Sequence, residues 1–308
     1  MIIINKALFI SILIHYQLLQ MKRLVVPLQK YLLMKTTVYF GLLLVYLTSC
    51  SPNNVKQDNS LGKYFEENNV KGCFALMDNG TGKFTVYDLS RYRDSSYLPA
   101  STFKIINSLI GLQTGKIVND SMVIKWDGIK RKVDAWNKDL TMYEAFRVSA
   151  VPYYQEVARR IGKDTMQFWL DSLGYGAKTE KENVVIKSKI DTFWLDNSIK
   201  ITPDQQLGVV KKLYFDQLPF FKSYQETVKR AMLFENNTNY KLGYKTGWGQ
   251  IPDGNQLGWI TGWVEENNHP YFFVLNIESP DPNFDMPAVR MKMLKDILGK
   301  LGFFKGEM

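Results

Sequence analysis

The order of strand-like and helix-like segments constrains the fold of this chain more than any other feature. Alternating apolar patterns typical of strands occur near both ends, at residues 73–77, 84–87, 240–246, 257–264 and 271–277. Most of the chain between Ser101 and Glu235 shows helical periodicity, and helical patterns also cover 61–68 and 287–301. This order predicts an α+β fold with one antiparallel sheet built from both ends of the chain. Terminal helices flank the sheet, and a helical lobe of about residues 100–235 is inserted between its strands.

The first 50 residues have the character of an export signal. They contain five basic and no acidic residues, and an apolar run at 38–47 precedes the small residues of Leu47-Thr48-Ser49-Cys50. This tetrapeptide resembles the lipobox of bacterial lipoproteins, in which the cysteine becomes the acylated N-terminus. An uncleaved membrane anchor is the alternative, although the run is short for a membrane span. We predict an exported bacterial lipoprotein, facing the periplasm or the cell surface and anchored in the membrane through Cys50.

These features predict the following division of the chain: a leader at 1–50, a polar tether at 51–60 and a single catalytic domain at 61–308. A leader of ordinary length would begin at Met21 or Met34 rather than at the first residue.

Charge and side-chain chemistry exclude several classes of function. The net charge is +9, but the basic residues are scattered, so no nucleic-acid partner is expected. The two cysteines are Cys50 and Cys73, and the two histidines are His15 and His269. The domain therefore lacks the ligands for a zinc site with several His or Cys residues, and we predict no metal. A Ser-His-Asp triad would depend on His269, which precedes Pro270 in a turn-like segment, so a serine enzyme here would use another base.

The segment Ser101-Thr102-Phe103-Lys104 offers that base. Residues three apart lie on one face of a helix, so the hydroxyl and the amine point into the same space. Burial among the surrounding apolar residues favours the neutral amine, which can act as a base or be chemically modified. The spacing alone is weak evidence, because Ser60 and Lys63 repeat it in a polar context. Taken alone, Ser101 could equally be a helix cap.

Three further motifs strengthen the interpretation: Ser149-Ala150-Val151 in the helical lobe, Lys245-Thr246-Gly247 at the end of a predicted strand, and Trp194 within Phe193-Trp194-Leu195. With Ser-Thr-Phe-Lys and in this order, they make the chain resemble the class D, oxacillinase-type β-lactamases. Trp126-Asp127-Gly128 and Thr261-Gly262-Trp263-Val264 support the resemblance, which covers essentially the whole predicted domain. It implies the serine β-lactamase and penicillin-binding transpeptidase-like fold, whose active site is a groove between the lobe and the sheet edge.

The resemblance also implies roles for individual residues. Ser101 would attack the lactam carbonyl, and Lys104 would be N-carboxylated by carbon dioxide or bicarbonate and serve as general base. Val151 would help keep the lysine pocket dry, and the indole N–H of Trp194 would donate to the carbamate. Ser149 would relay a proton to the leaving nitrogen.

A second group of residues would bind the substrate. Lys245, Thr246 and Gly247 would hold its carboxylate side, together with a bidentate contact from Arg290. The backbone N–H groups of Ser101 and Trp248 would form the oxyanion hole. The expected partners are β-lactam molecules, and no cofactor is implied beyond the carbon dioxide bound by the lysine. The sequence leaves open whether the protein forms a homodimer.

Two other functions fit the same motifs. A β-lactam sensor domain or a penicillin-binding transpeptidase would also be acylated at Ser101, but neither would turn over rapidly. If Lys104 is not carboxylated, a carboxylate such as Glu144 or Glu156 would have to be the base. The chain also departs from the family pattern, because Tyr175-Gly176-Ala177 stands where Tyr-Gly-Asn is usual. We expect altered loop support and an altered substrate range from this difference.

Overall fold

A seven-stranded sheet forms the centre of the protein in our computed structural model, which describes residues 54–176 and 184–308. The strand order is β1-β3-β2-β9-β8-β7-β6, and β4 pairs separately with β5. The strands are β1 (Val55–Gln57), β2 (Lys71–Asp78), β3 (Phe84–Tyr87), β4 (Val123–Ile124), β5 (Leu140–Thr141), β6 (Leu233–Asn236), β7 (Lys241–Gln250), β8 (Gln256–Glu266) and β9 (His269–Ser279). The predicted leader with Cys50 and the departure at Ala177 lie outside the described residues.

Nine α-helices surround the sheet in these two ranges. They are α1 (Gly62–Glu67), α2 (Leu89–Asp94), α3 (Lys104–Gln113), α4 (Met142–Arg147), α5 (Val151–Ile161), α6 (Lys163–Leu173), α7 (Pro203–Tyr214), α8 (Lys222–Met232) and α9 (Met286–Lys300). Local chemistry fixes several of their starts, because Thr141 with Glu144 and Thr202 with Gln205 form reciprocal capping boxes before α4 and α7. No helix of the described ranges is both long and apolar enough to span a membrane.

The two ends of the chain meet at the centre of the sheet. Strand β2 pairs antiparallel with β9, so that Lys71 lies opposite Glu278. The named sheet neighbours are all antiparallel except β1 and β3, which run parallel. This arrangement confirms the predicted antiparallel sheet assembled from both ends of the chain.

Each face of the sheet buries a separate apolar cluster. Successive side chains of a strand point to opposite faces, and in β2 Phe74 packs with the terminal helices α1 and α9 while Cys73 packs with the inserted helices. Strand β8 is buried along its whole length because both of its faces are covered. The sheet is therefore the middle layer, with the terminal helices on one side and the helical lobe on the other.

Three local predictions need correction. Residues 51–60 were predicted to form a tether. This is wrong for Val55–Gln57, which form β1, pair with β3 and extend the sheet. Lys245 and the two residues after it lie inside β7 rather than at its end. His269 begins β9 instead of lying in the turn.

Candidate active site

A 3₁₀ turn, Ala100–Phe103, leads directly into α3 and carries Ser101. In a 3₁₀ turn the side chains three residues apart are eclipsed rather than offset. The side chains of Ser101 and Lys104 therefore project to the same side. The Nζ of Lys104 donates a hydrogen bond of 2.6 Å to the serine Oγ. The sequence predicted a shared helical face, and the tighter turn brings the two groups into direct contact.

The backbone before the serine is held in an unusual conformation. Ala100 has a φ of +48°, in the left-handed region that residues with a Cβ rarely occupy. Its N–H donates to the carbonyl of Trp194 at 3.0 Å, and the indole Nε1 of Trp259 donates to the carbonyl of Leu98 at 3.0 Å. Such strain costs about 1–3 kcal/mol and persists only where neighbouring contacts enforce it. These two contacts fix the position of Ser101.

Lys104 is completely buried in largely apolar surroundings. Burial lowers the pKa of its amine to about 7, because the charged form loses its hydration. The ring centroid of Tyr154 lies 5.5 Å from its Nζ. No carboxylate of the described residues forms an ion pair with this amine, so a substantial fraction of it is neutral near pH 7.

Trp194 lies in the same part of the core. Its ring stacks on that of Phe103, one residue before Lys104, with centroids 5.5 Å apart. Its Nε1 is buried and has no hydrogen-bond partner within residues 54–176 and 184–308. A buried donor without an acceptor costs about 1–3 kcal/mol, so this N–H requires a separate explanation.

The second serine and the second lysine contact each other across the groove. Ser149 lies between α4 and α5 with a φ of +57°, and Lys245 comes from β7. The Nζ of Lys245 donates to Ser149 Oγ at 2.9 Å and to the carbonyl of Thr246 at 3.1 Å. Burial, followed by the charges of Lys104 and Arg290, lowers the pKa of Lys245 well below its usual value.

Gly247 allows β7 to approach the turn that carries the nucleophile. A Cβ at this position would lie 3.1 Å from the carbonyl oxygen of Pro99 and 3.2 Å from Cγ2 of Thr102. Beyond Gly243, β7 pairs only with β8 in the described sheet, so its other edge is available to line a groove beside the 3₁₀ turn.

Arg290 reaches the same strand from α9. Its Nη1 donates to the carbonyl of Gly247 at 2.5 Å, while its Nε has no partner among the residues described. Burial lowers the pKa of this guanidinium to about 10. Trp248, the next residue of β7, is half exposed, and its Nε1 donates to Gln256 Oε1 at 2.8 Å. Thr246 is partly buried.

Other residues considered from the sequence lie elsewhere. Glu144 caps its own helix through Thr141, and Glu156 pairs with Arg159 and Arg160. The structure therefore removes the two alternative carboxylate bases. His269 contacts Asp78 at 2.7 Å instead of Ser101. Val151 begins α5, is partly buried, and lies one turn before Tyr154.

Sequence reasoning missed Tyr154 and its partners. Its hydroxyl hydrogen-bonds Ser108 at 2.8 Å, and its backbone carbonyl accepts from Asn107 Nδ2 at 3.2 Å. These contacts join α5 to α3 just beyond Lys104. No motif in the sequence singles out Tyr154, and only the packing of α5 on α3 brings it close to Lys104.

Three buried basic side chains meet in this arrangement. Lys104, Lys245 and Arg290 are all at most 8% exposed, and none of them forms an ion pair with a described carboxylate. A buried positive charge without a counter-ion favours an anionic ligand, which would replace part of the lost solvation. No group of three or more His, Cys, Asp or Glu residues suited to a metal occurs in the described ranges. The groove thus combines a serine nucleophile, an amine that is partly neutral near pH 7 and basic side chains suited to a carboxylate.

Comparison with known proteins agrees with this geometry. Residues 72–299 match the family model of the penicillin binding protein transpeptidase domain. Beta-lactamase OXA-5 of Pseudomonas aeruginosa is 35% identical over 247 residues, which cover 80% of this chain and 90% of that protein. Beta-lactamase OXA-48 of Klebsiella pneumoniae is 35% identical over 243 residues, covering 79% and 88%.

A solved structure shows the same fold. FUS-1 (OXA-85), a class D beta-lactamase from Fusobacterium nucleatum subsp. polymorphum, superposes with a TM-score of 0.74 and is 33% identical. The match covers 81% of this chain and all of that one (100%). The sequence motifs, the sheet topology and the serine–lysine pair agree with these similarities, and the chain belongs to the class D serine β-lactamases.

Proposed function

We propose that the protein hydrolyses β-lactam antibiotics through an acyl-enzyme on Ser101, and that carbon dioxide bound by Lys104 takes part in deacylation. One observation carries the proposal: a fully buried amine with its pKa lowered to about 7 lies 2.6 Å from the serine hydroxyl. A neutral amine is the form that reacts with carbon dioxide, whereas a solvated lysine is protonated near pH 7.

The surroundings of Lys104 suit a carboxylated amine. Trp194 has a buried Nε1–H without an acceptor in the described structure, and an oxygen added to the lysine would supply one. When present, the carbamate provides an anionic general base beside the acyl-enzyme. Trp194 would hold it by donating a hydrogen bond from its indole N–H, and the stack on Phe103 fixes the plane of that donor.

Acylation needs a proton for the leaving lactam nitrogen, and the pair of Ser149 and Lys245 can deliver one. Because Ser149 Oγ accepts from Lys245 Nζ, its own hydroxyl proton is directed to another acceptor. The hydroxyl proton would pass to the nitrogen as the C–N bond breaks, and Lys245 would return a proton to Ser149 Oγ. The positive φ of Ser149 holds the hydroxyl at the end of the turn facing β7.

Substrate orientation would come from the cations and the backbone of β7. Arg290 and Lys245 bind the substrate carboxylate together with the hydroxyl of Thr246, beside Gly247. The N–H groups of Ser101 and Trp248 stabilise the oxyanion that forms when Ser101 attacks. Val151, at the start of α5, helps keep water away from Lys104.

Repeated turnover separates this proposal from a sensor domain or a transpeptidase. Protein lacking its leader should hydrolyse a chromogenic cephalosporin for many cycles without added metal, and Ser101→Ala should abolish acylation. One product molecule per enzyme, with a stable acyl adduct by mass spectrometry, would favour a sensor or a transpeptidase instead.

We further propose that the protein is exported and anchored as a lipoprotein at Cys50, in the periplasm or at the cell surface. The lipobox-like Leu47-Thr48-Ser49-Cys50 supports this localisation. The assembly of two copies into a homodimer stays a prediction to be tested by light scattering.

A further inference from the structure

A second cavity, of about 340 Å³, lies in the helical lobe between the segment that joins β4 to β5 and helix α5. None of Ser101, Lys104, Ser149 and Lys245 lines it. Its volume is within the range of sites that bind small molecules. It is therefore separate from the groove that holds the proposed chemistry.

Three aromatic side chains in the wall of this cavity are fixed by their polar atoms. Trp126 Nε1 donates to the carbonyl of Ile129 at 3.0 Å, and Tyr153 hydroxyl donates to the carbonyl of Met122 at 3.0 Å. Trp136 Nε1 donates to the carbonyl of Val148, also at 3.0 Å. The rings are thus held in place before any ligand arrives, which reduces the entropy lost on binding.

Basic groups outnumber acidic groups around these rings. The lining includes four basic side chains, Lys125, Lys138, Arg159 and Arg160, and two acidic ones, Asp127 and Glu156. Arg131 binds Asp127 with two hydrogen bonds, and Arg160 binds Glu156 at 2.8 Å. Lys125 forms no ion pair with a residue in the described ranges. Lys138, Arg159 and Arg160 are each paired with a carboxylate, so among the described lining residues Lys125 supplies the positive charge that remains for a ligand.

We propose that this cavity is a second ligand site, for a small molecule with an aromatic body and a carboxylate. The aromatic body would pack on Trp126, Trp136 and Tyr153, and the carboxylate would bind Lys125 at the rim. A neutral molecule of the same shape would lose the contact with the ammonium group. This assignment does not depend on the reaction proposed for Ser101.

The site is connected to the active site by one hydrogen bond. Trp136 donates to Val148, the residue before Ser149, and Pro152 of α5 also lines the cavity. A ligand packed on the Trp136 ring would press on the residue before Ser149 through this hydrogen bond and so disturb the strained turn that holds Ser149. We therefore expect the ligand to lower the turnover rate without competing with the substrate.

Calorimetric titration with 2-naphthoate and with its uncharged analogue 2-naphthamide tests the site. The unmodified protein should bind naphthoate more tightly than naphthamide. Lys125→Glu should weaken naphthoate binding by about fivefold or more, since it reverses the charge at the rim. Lys130→Glu is the matched control, because Lys130 is exposed on the same segment and does not line the cavity.

Arg290→Ala distinguishes this cavity from the active-site groove. If naphthoate binds in the second cavity, Arg290→Ala binds it as the unmodified protein does. If Arg290→Ala loses naphthoate binding while Lys125→Glu retains it, naphthoate binds in the groove and the proposal is wrong. Absence of binding, or equal binding by Lys125→Glu and Lys130→Glu, would overturn it as well.

Discussion

The ring of Trp194 stacks on the ring of Phe103, with centroids 5.5 Å apart and planes inclined by 23°. Phe103 lies between Ser101 and Lys104 on the same 3₁₀ turn, so the turn that carries the nucleophile also supports the indole. The Ala100 N–H, which donates to the Trp194 carbonyl, adds a second link between the two segments. The indole N–H thereby keeps a fixed position relative to the lysine.

Trp194→Phe should lower turnover and make it depend on added bicarbonate. The change keeps an aromatic ring for the stack and removes the buried N–H that lacks an acceptor. A hydrogen bond to a charged group contributes about 1.5–3 kcal/mol. The affinity of Lys104 for carbon dioxide should therefore fall by at least about tenfold. Steady-state rates over a bicarbonate series measure this effect.

The stability of Trp194→Phe provides an independent test. Without bicarbonate the thermal midpoint should change little, because removal of the unsatisfied buried donor offsets the cavity left by the smaller ring. Trp169→Phe is the control, since Trp169 belongs to α6 and packs on Phe220, away from Lys104. Equal bicarbonate dependence in both variants would count against a role for Trp194.

Activity should rise as the pH increases through about 7, because the buried amine of Lys104 has its pKa lowered to about 7. Below that pH the protonated fraction grows, and the rate should fall by about tenfold per unit. Bicarbonate should restore part of the loss at a fixed acidic pH, while Lys104→Ala should be slower by about 10²–10⁴-fold at every pH. Full activity of thoroughly degassed enzyme, without a carbon-13 carbamate signal, would rule out the carboxylated lysine.

Gly247→Ala should impair catalysis by pushing β7 away from the nucleophile. Its Cβ would press on the Pro99 carbonyl at 3.1 Å, and the displacement should reduce kcat/KM by about tenfold. Gly208→Ala is a suitable control, because a Cβ built there in α7 meets no atom within 4 Å apart from the neighbouring backbone of its own helix. That variant should retain activity and gain up to about 1 kcal/mol of stability. Equal kinetics in the two variants would show that the close approach is unimportant.

Arg290→Ala should raise KM for substrates with a carboxylate more than it lowers kcat. Removal of a charged hydrogen-bond donor should reduce kcat/KM by about 10–100-fold. The effect should be smaller for a substrate analogue esterified at the carboxylate. Lys292→Ala is the control, since Lys292 is exposed on the same helix and pairs with Asp296. An equal loss for the ester and the acid would argue against carboxylate recognition.

Cys50→Ser should release the protein from the membrane fraction or leave its leader uncleaved. Two or more acyl chains give stable membrane binding, whereas one is marginal. Fractionation and mass spectrometry of the N-terminal peptide measure both outcomes. If the protein without the substitution is fully soluble and its N-terminus carries no lipid, the lipoprotein assignment is contradicted.

Strongly patterned segments were predictable from sequence, and weakly patterned ones were not. The pattern at 84–87 coincides with β3, and the pattern at 287–301 differs from α9 by one residue at each end. Helix α4 has only six residues, too few for a clear period. Helix α8 lies inside the predicted helical lobe, but no bounds were predicted for it. Its buried face includes Gln225, whose amide donates to the carbonyls of Leu218 and Phe220. A polar residue in the core interrupts the apolar pattern while still contributing to packing.

The active-site groove shows the same limit. The contact between Ser101 and Lys104 is local, so their spacing was enough to predict it. The sequence placed Lys245-Thr246-Gly247 at the end of a strand. In the structure the strand continues to Gln250, and Gly247 and Gly249 make room for Pro99 and Leu98. The unpartnered N–H of Trp194 depends on packing between distant segments, which no local pattern contains.

The pairing of β2 with β9 determines when the domain can finish folding. Strand β2 leaves the ribosome early, yet its partner on one side is complete only at Ser279. Contacts between such distant segments form slowly, because a very long loop must close first. The central pairing of the sheet therefore cannot form until nearly all of the chain has been synthesised. This delay is compatible with passage through a narrow translocation pore before the sheet closes.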